Sequence, residues 1–223
     1  MSSNAVGHFE HQLTAEELAT LPEILNRRCR DGVELAGLPA LRERHGSESP
    51  MPTEWRWANR DERNQREIAA AMASPRDFPD PLDIQGPARL FLSVGPRAGN
   101  VWLCRWMFFL SNPEYERDAR RAARAVVAAL GGSDLLYAHD GSAAADRGVY
   151  DSRGDLRAEL AANEGPPAPG AAAVFLLVNE IEDRCRQVPL GLDDSEWRRR
   201  CDEIEREVRS RYPYGDYFLE PEG

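Results

Sequence analysis

Apolar residues follow a helical spacing in the first part of the chain. Thr14 and Glu17 have the spacing of a capping box, in which each side chain bonds the other residue's backbone at a helix start. Apolar positions then recur every three or four residues, at Leu18, Leu21, Ile24 and Leu25. Together these signals predict a helix over residues 14–30. A second helix is predicted to open at Asn59 and to end before Pro75.

The pattern changes to short apolar runs after a proline-rich segment. Four prolines fall within residues 75–87, so this segment is predicted to be an extended connector and a domain boundary. Residues 88–95 alternate in part between apolar and polar, and residues 101–110 are dense in aromatic and aliphatic side chains. With the glycine-rich residues 95–100 as their turn, the two runs predict a β-hairpin. Both faces of 101–110 are apolar, which is typical of a central strand.

Helical and strand patterns alternate after the hairpin. A helix is predicted from Asn112 to the glycine pair 131–132, with an apolar stripe on one face. The opposite face carries Arg117, Arg121 and Arg124. A strand at 134–138 and a helix at 153–163 follow. Residues 171–178 favour a buried strand, but they pass directly into NEIEDRC, which leaves a helical continuation open.

The last helix is predicted to start at Asp194 or Ser195. One of its faces is formed by Trp197, Cys201, Ile204 and Val208. From residue 88 the element order is β-β-α-β-α-β-α, which predicts an α+β fold with a mixed β-sheet and packed helices. Residues 1–87 are predicted to form an N-terminal helical segment and connector, and residues 88–223 an α+β core domain with an aromatic C-terminal tail.

The charge of the chain changes which partners are expected. The 28 basic side chains are all arginine and stand against 38 acidic ones, so the formal net charge is -10. The preference for arginine is expected to reflect a GC-rich bacterial genome, which favours arginine codons. Without lysine there is no Schiff base and no Walker-type phosphate contact. A negative field repels nucleic-acid phosphates and attracts basic proteins, so a basic protein is the expected partner and nucleic acid is not.

Neither a membrane nor an exported location is expected. The longest apolar stretches, 101–110 and 171–178, are far shorter than the roughly 20 residues of a spanning helix. The first residues lack the basic start and apolar region of a secretory signal, so the expected location is cytoplasmic. No CxxC pair occurs among the four cysteines, which are therefore expected to be reduced thiols that act as small apolar side chains: Cys29, Cys104, Cys185 and Cys201.

Motifs for metal, nucleotide or nucleophilic chemistry are incomplete. His8 and His11 form an isolated HxxH in an N-terminus expected to be mobile, and a metal site needs a further ligand. The glycine-containing turns match neither phosphate-binding motif, and no GxSxG occurs, so Ser93 is interpreted as an ordinary serine near a strand end. No cofactor and no metal are predicted.

Three residues are weak catalytic candidates. Arg105 interrupts an apolar strand, where a guanidinium either pairs with a carboxylate or binds an anion in a cleft. His139 and Asp140 follow a short apolar strand, and functional side chains are common where a strand meets a turn. The alternative for Asp140 is an ordinary turn with the glycine that follows it.

Aromatic residues outside the strands are the candidates for partner binding. Trp55 and Trp57 lie in a proline-bounded loop, and the tail contributes Tyr212, Tyr214, Asp216 and Tyr217. Tyrosine and tryptophan are enriched at binding hot spots, but loops also use them to attach to their own core.

The leading hypothesis is an acidic protein-binding module, such as an inhibitor or an immunity-type protein that neutralises a basic partner protein. The first alternative is a small enzyme with a site near His139, Asp140 and Arg105. A non-catalytic subunit of a homo-oligomer or larger assembly is the second alternative, because the amphipathic last helix and the aromatic tail could close an interface.

Overall fold

The protein has the α+β fold that the sequence predicts. A computed structural model of the chain describes residues 5–30, 54–58, 69, 81–87, 90–103, 113–139 and 171–212. The strands of this part are β1 (Ala5–Glu10), β2 (Arg56–Trp57), β3 (Leu82–Gln85), β4 (Phe91–Val94), β5 (Ala98–Leu103) and β6 (Ser133–His139). Its helices are α1 (Ala15–Ala19), α2 (Leu21–Arg30), α3 (Pro113–Ala129), α4 (Ala171–Cys185) and α5 (Asp194–Ser210).

The six strands form one sheet in the order β2-β3-β4-β5-β1-β6. Every pairing between these strands is antiparallel, so the described sheet is not mixed as predicted. β5 and β6 are both antiparallel to β1, which lies between them, and α3 connects them along the chain. Strands from both sides of the predicted boundary at residues 75–87 therefore pair in the same sheet.

Residues 5–10 near the N-terminus form an inner strand of this sheet. The prediction that His8 and His11 lie in a mobile N-terminal segment was therefore wrong. Val6, His8 and Phe9 in β1 are buried, and His11 just beyond the strand is buried too. The pairing of β1 depends on residues about 90 to 130 positions away in β5 and β6. A local sequence pattern of six residues carries no sign of such distant partners.

The predicted connector also contains a strand, β3. Leu82 and Ile84 are buried while Asp83 and Gln85 are half-buried, which is the alternation of a strand with one covered face. The pattern spans only four residues between prolines, too few to stand out from the extended backbone that proline itself favours.

The β-hairpin is confirmed, with a shorter turn than predicted. β4 and β5 pair directly, and residues 95–97 alone connect them, so Gly99 and Asn100 belong to β5. A Cβ at Gly99 would lie 2.7 Å from Cζ of Phe9 on the neighbouring strand. Glycine is needed there because the Phe9 ring occupies the space of a side chain. Residues 104–110 of the predicted second strand lie outside the described residues.

The strand predicted at 171–178 is wrong, because these residues begin helix α4. Leu177, Ile181 and Cys185 are all buried and are spaced four residues apart, as on one face of a helix. The apolar run continues this helical period into residues 179–185. The alternative of a helical continuation was therefore correct.

The sequence motifs at helix ends predicted the start of α1 and the end of α3 correctly. The capping box is present: Thr14 Oγ1 accepts from Glu17 N at 3.2 Å, and Glu17 Oε2 accepts from Thr14 N at 2.8 Å. The predicted helix over 14–30 divides into α1 and α2 at Thr20. α3 ends at the predicted glycine pair, where Gly131 adopts φ +67° and Gly132 N donates to Val127 O at 2.8 Å. This is a Schellman motif.

The core lies between one face of the sheet and the helices α1, α2 and α3. The sheet contributes Phe9, Ile84, Leu92, Val101 and Tyr137, among others, and the helices contribute Leu18, Leu21, Leu25, Ala122 and Val126. Full burial of each large aliphatic side chain stabilises the fold by about 1.5–3 kcal/mol. A second apolar cluster joins α4 to α5 and contains Leu177, Ile181, Cys185, Val188, Trp197, Cys201 and Val208.

Candidate functional site

The two tryptophans predicted to lie in a loop pack into the protein itself, and the loop prediction is wrong for Trp57, which lies in β2 and pairs with Ile84. Trp55 is only 2% exposed and belongs to the core, while Trp57 is half-buried against it. Asn26 of α2 donates from Nδ2 to Trp55 O at 2.8 Å and accepts from Trp55 N at 2.7 Å. A Cβ at Gly86 would lie 2.3 Å from the Trp55 ring, so the ring fills that space. These contacts fit the alternative in which the tryptophans attach their segment to the core.

Tyr212 marks the point where the predicted partner-binding tail begins. Its hydroxyl donates to Oε2 of Glu180 on α4 at 2.7 Å, and its ring packs against the α4–α5 cluster. Arg211 forms an ion pair with Oε1 of the same carboxylate at 2.6 Å. The start of the tail is therefore fixed to α4. Tyr214, Asp216 and Tyr217 lie outside the described residues.

The three catalytic candidates are not brought together by described side chains. His139 is the last residue of β6, where its backbone pairs with Ala5. Asp140, Arg105 and the side chain of His139 lie outside the part of the chain that the structure describes. All three stay predictions.

The arginine face of α3 is buried, which the sequence interpretation missed. Arg120, Arg121 and Arg124 are 2%, 3% and 8% exposed, and Arg117 is half-buried. α4 and α5 supply carboxylates that face these guanidinium groups. The missed signal is the surplus of acidic residues in the last two helices, which pair with α3 as well as with their own neighbours.

Arg120 links the two buried carboxylates of α4 and α5. Its Nη1 lies 3.6 Å from Oε2 of Glu182, and its Nη2 lies 3.8 Å from Oε2 of Glu205. Arg124 donates from Nε to Glu182 at 2.9 Å, and Arg209 pairs with Glu205 at 2.7 Å. Glu182 is therefore shared by two guanidinium groups and Glu205 by three, because Arg117 Nη2 also lies 3.7 Å from Glu205 Oε2. These pairings offset the cost of burying the charges.

The pKa values in this network follow from burial and from these charges. Burial alone raises the pKa of Glu205, but the charges of Arg120 and Arg209 outweigh it and hold the pKa below its ordinary value. Burial lowers the pKa of Arg124, and the charge and hydrogen bond of Glu182 outweigh burial and raise it. Glu205 and Arg124 are therefore both charged near neutral pH.

Arg121 fixes the segment that precedes α5. Its Nη2 donates to the carbonyl oxygens of Leu190 at 3.1 Å and Leu192 at 2.9 Å, and its Nη1 pairs with Asp194. The guanidinium also lies 4.5 Å from the ring centroid of Trp197, a cation–π contact. Among the described contacts, the α3 arginines thus serve to join helices, and they do not form an open anion site.

A polar row crosses four neighbouring strands on the face of the sheet opposite Phe9 and Leu92. It consists of Asp83, Ser93, Asn100 and His8, which lie side by side in the strand register.

Hydrogen bonds join the members of this row in two pairs. Ser93 Oγ donates to Asp83 Oδ1 at 2.7 Å and accepts from Trp102 Nε1 at 3.2 Å. His8 Nδ1 lies 3.3 Å from Asn100 Oδ1. Among the described contacts, the Ser93 hydroxyl is bonded to Asp83 and Trp102 and not to a histidine, which is the contact that activates a serine nucleophile.

His11 holds the β4–β5 turn in place. Its Nε2 donates to the Gly95 carbonyl at 3.0 Å, while Nδ1 accepts from Leu13 N at 3.2 Å, which fixes a neutral tautomer. Burial lowers the pKa of His11 more than the bonds to Gly95 and Ala98 raise it. Both nitrogens are engaged, so neither is left for a metal ion.

A cavity of about 390 Å³ lies between the end of α3, the start of β6 and the segment after α4. Its charged lining residues are Arg124, Glu182 and Arg186. The rest of the lining is apolar or glycine: Val127, Ala128, Gly132, Leu135, Val188, Pro189 and Leu190. The cavity therefore borders the buried ion-pair network of Arg124 and Glu182.

Within the described ranges, three or more potential metal ligands nowhere come together, and no helix there is long and apolar enough to cross a membrane. Comparisons with protein-family models, with curated proteins and with solved structures found no match to this chain.

Proposed function

We propose that the protein is a binding module for a basic partner protein, which it engages through residues 213–223. The observation that carries the proposal is the attachment of Tyr212 and Arg211 to Glu180, which fixes the start of this segment at the α4–α5 surface. A segment whose first residue is held in place loses less conformational entropy on binding than one without an anchor.

The composition of this segment suits a basic partner. Its acidic residues are Asp216, Glu220 and Glu222, its aromatic residues are Tyr214, Tyr217 and Phe218, and it contains no arginine. Aromatic side chains supply most of the binding energy at hot spots, and carboxylates steer a basic partner and add charged contacts. An inhibitor or immunity-type protein that neutralises a basic protein would use this combination.

A cytoplasmic location is part of this proposal. The described cysteines, Cys185 and Cys201, are buried free thiols, which suits a reducing compartment. The alternatives, an enzyme at His139, Asp140 and Arg105 or a subunit of an oligomer, have no described contact in their support.

The proposal is tested by comparing variants in capture experiments. The tagged full chain is incubated with lysate of the cell that produces it, at low and at high salt, and retained proteins are identified by mass spectrometry. The test variant carries Tyr214→Ala, Asp216→Asn and Tyr217→Ala, and the control is Glu203→Gln on the exposed face of α5.

We expect one stoichiometric protein to be retained by the parent chain and by the control, less strongly at high salt because salt screens charge contacts. The triple variant should lose it. Retention of the same protein by the triple variant would overturn the proposal, and so would the absence of any protein that distinguishes the parent chain from this variant.

A further inference from the structure

The cavity between α3, β6 and the segment after α4 lies where the two apolar clusters of the protein meet. Its buried wall includes Val127 and Leu135 from the main core and Val188 from the α4–α5 cluster. Ala128 and Pro189 line the same cavity and are exposed, so they mark its opening to solvent. The cavity thus has an apolar interior with an opening for a small molecule.

One wall of the cavity carries a buried hydrogen-bond donor without an acceptor. Arg124 is buried and lines the cavity. Its Nε donates to Glu182 at 2.9 Å and its Nη1 donates to the carbonyl oxygen of Cys185. Its Nη2 has no hydrogen-bond partner among the described groups. A buried donor left without an acceptor destabilises a protein, so an acceptor that a ligand brings to this wall is bound favourably.

The charges around the cavity are paired within the protein. Arg124 forms an ion pair with Glu182, and Arg186, beside the opening, pairs with Asp183 at 2.9 Å. A charged ligand would lose its hydration here without meeting an uncompensated charge of opposite sign. A neutral ligand therefore fits these walls better than an ion.

We propose that this cavity is a binding site for a small neutral molecule with an apolar body and one carbonyl group, whose oxygen accepts a hydrogen bond from Nη2 of Arg124. Ketones, esters and lactones have this chemistry. The volume of about 390 Å³ is more than twice the roughly 150 Å³ of an apolar protein cavity that binds benzene, so a larger body fits. The inference is independent of the proposed function, because the site includes no residue of 213–223.

The test measures the binding of matched small molecules to the full chain by saturation-transfer NMR titration. Acetophenone and 2-octanone carry the carbonyl group, and ethylbenzene has a methylene in place of the carbonyl of acetophenone. Benzoate and benzamidinium are charged molecules of nearly the same shape. We expect a ketone to bind with a Kd of about 1 mM or lower, as for a fragment of this size. Ethylbenzene should bind at least about fivefold more weakly because it has no acceptor, and both ions more weakly than the ketone.

A substitution at the opening tests where the ketone binds. Ala128→Trp places a large side chain at an exposed lining position of α3, and the control Glu203→Trp places the same side chain on the exposed face of α5. Circular dichroism confirms that both variants are folded. We expect Ala128→Trp to weaken ketone binding at least about tenfold, because the indole fills the opening, and the control to leave it unchanged.

Three results with the parent chain would overturn the proposal, and none of them needs a variant. They are the failure of both ketones to bind, equal binding of ethylbenzene and acetophenone, and tighter binding of either ion. Unchanged ketone binding by folded Ala128→Trp would overturn the proposal as well, because the ketone would then lie elsewhere.

Discussion

The side-chain amide of Asn179 hydrogen-bonds both backbone groups of Tyr137. Its Oδ1 accepts from Tyr137 N at 2.6 Å, and its Nδ2 donates to Tyr137 O at 2.8 Å. Tyr137 lies in β6, an edge strand of the sheet as far as the structure describes it, and Asn179 lies on α4. One helix side chain thus takes the position that a further strand would occupy.

An asparagine side chain makes the same pair of backbone hydrogen bonds at the opposite edge of the sheet. Asn26 of α2 bonds both backbone groups of Trp55, the residue that precedes the edge strand β2. Unpaired edge strands invite pairing with other chains, and covering them prevents it. The two amides therefore attach helices to the sheet and block β-strand addition at Tyr137 and Trp55.

Replacing Asn179 by alanine is expected to lower the free energy of unfolding by about 2 kcal/mol, because two half-buried backbone groups lose their partner. Urea unfolding measures this loss, and gel filtration at increasing concentration measures any new self-association through β6. The control variant is Ser195→Ala, which lies at the exposed start of α5. It leaves the contacts of Asn179 and Asn26 with the two edges of the sheet intact. Unchanged stability of Asn179→Ala would contradict the role assigned to the amide.

Replacing Arg120 by methionine is expected to destabilise the fold by about 3 kcal/mol, because the charge shared by Glu182 and Glu205 is lost from a buried site. The matched control is Arg199→Met, whose exposed guanidinium pairs with Glu196 and Glu203 on the surface of α5. The control should leave the urea midpoint nearly unchanged. Equal effects of the two substitutions would show that the buried network has no special importance.

His11 is expected to make stability fall in mild acid. Its pKa is lowered in the folded protein, so the unfolded chain binds the proton more readily, and stability decreases as pH falls below the ordinary histidine value of about 6.5. Above that pH its contribution is constant. The difference in unfolding free energy between the parent chain and His11→Gln should therefore shrink between pH 7.5 and 5.5. A difference that stays constant over this range contradicts the prediction.

Gly99→Ala is expected to destabilise the protein by about 1–3 kcal/mol, because its Cβ would meet Phe9 at 2.7 Å and the Ser93 carbonyl at 3.1 Å. Phe9→Leu removes the ring and makes room. In a double-mutant cycle, adding Gly99→Ala to Phe9→Leu should therefore cost less than adding it to the parent chain. Fully additive costs would show that the ring does not require the glycine.

Features set by neighbours along the chain could be predicted from the sequence. The bonds of the Thr14–Glu17 capping box and the glycines that end α3 lie within a few residues, so their spacing is visible directly. The β4–β5 hairpin is likewise local. Gly99, predicted in the turn, lies in β5, where it pairs with Val94 and with the distant Phe9.

Features set by distant partners could not be predicted in this way. The burial of Arg120 depends on Glu182 and Glu205, which lie more than 60 residues further along the chain. His8 and His11 look like an isolated pair until β1 is placed between β5 and β6. The partner-binding role of Tyr214, Asp216 and Tyr217 stays a prediction, and the structure adds the Tyr212–Glu180 contact at the start of their segment.

Zero-length cross-linking tests the proposed function most directly. Carbodiimide joins carboxylates to amines. This chain contains no lysine, so its α-amino group is the one amine it can contribute. Any other protein amine that is captured in lysate therefore belongs to another protein. The proposed function predicts that one partner protein is linked through its lysines to Asp216, Glu220 or Glu222, and that high salt reduces the yield. Links scattered over the whole chain and many proteins, or none within residues 213–223, would contradict it.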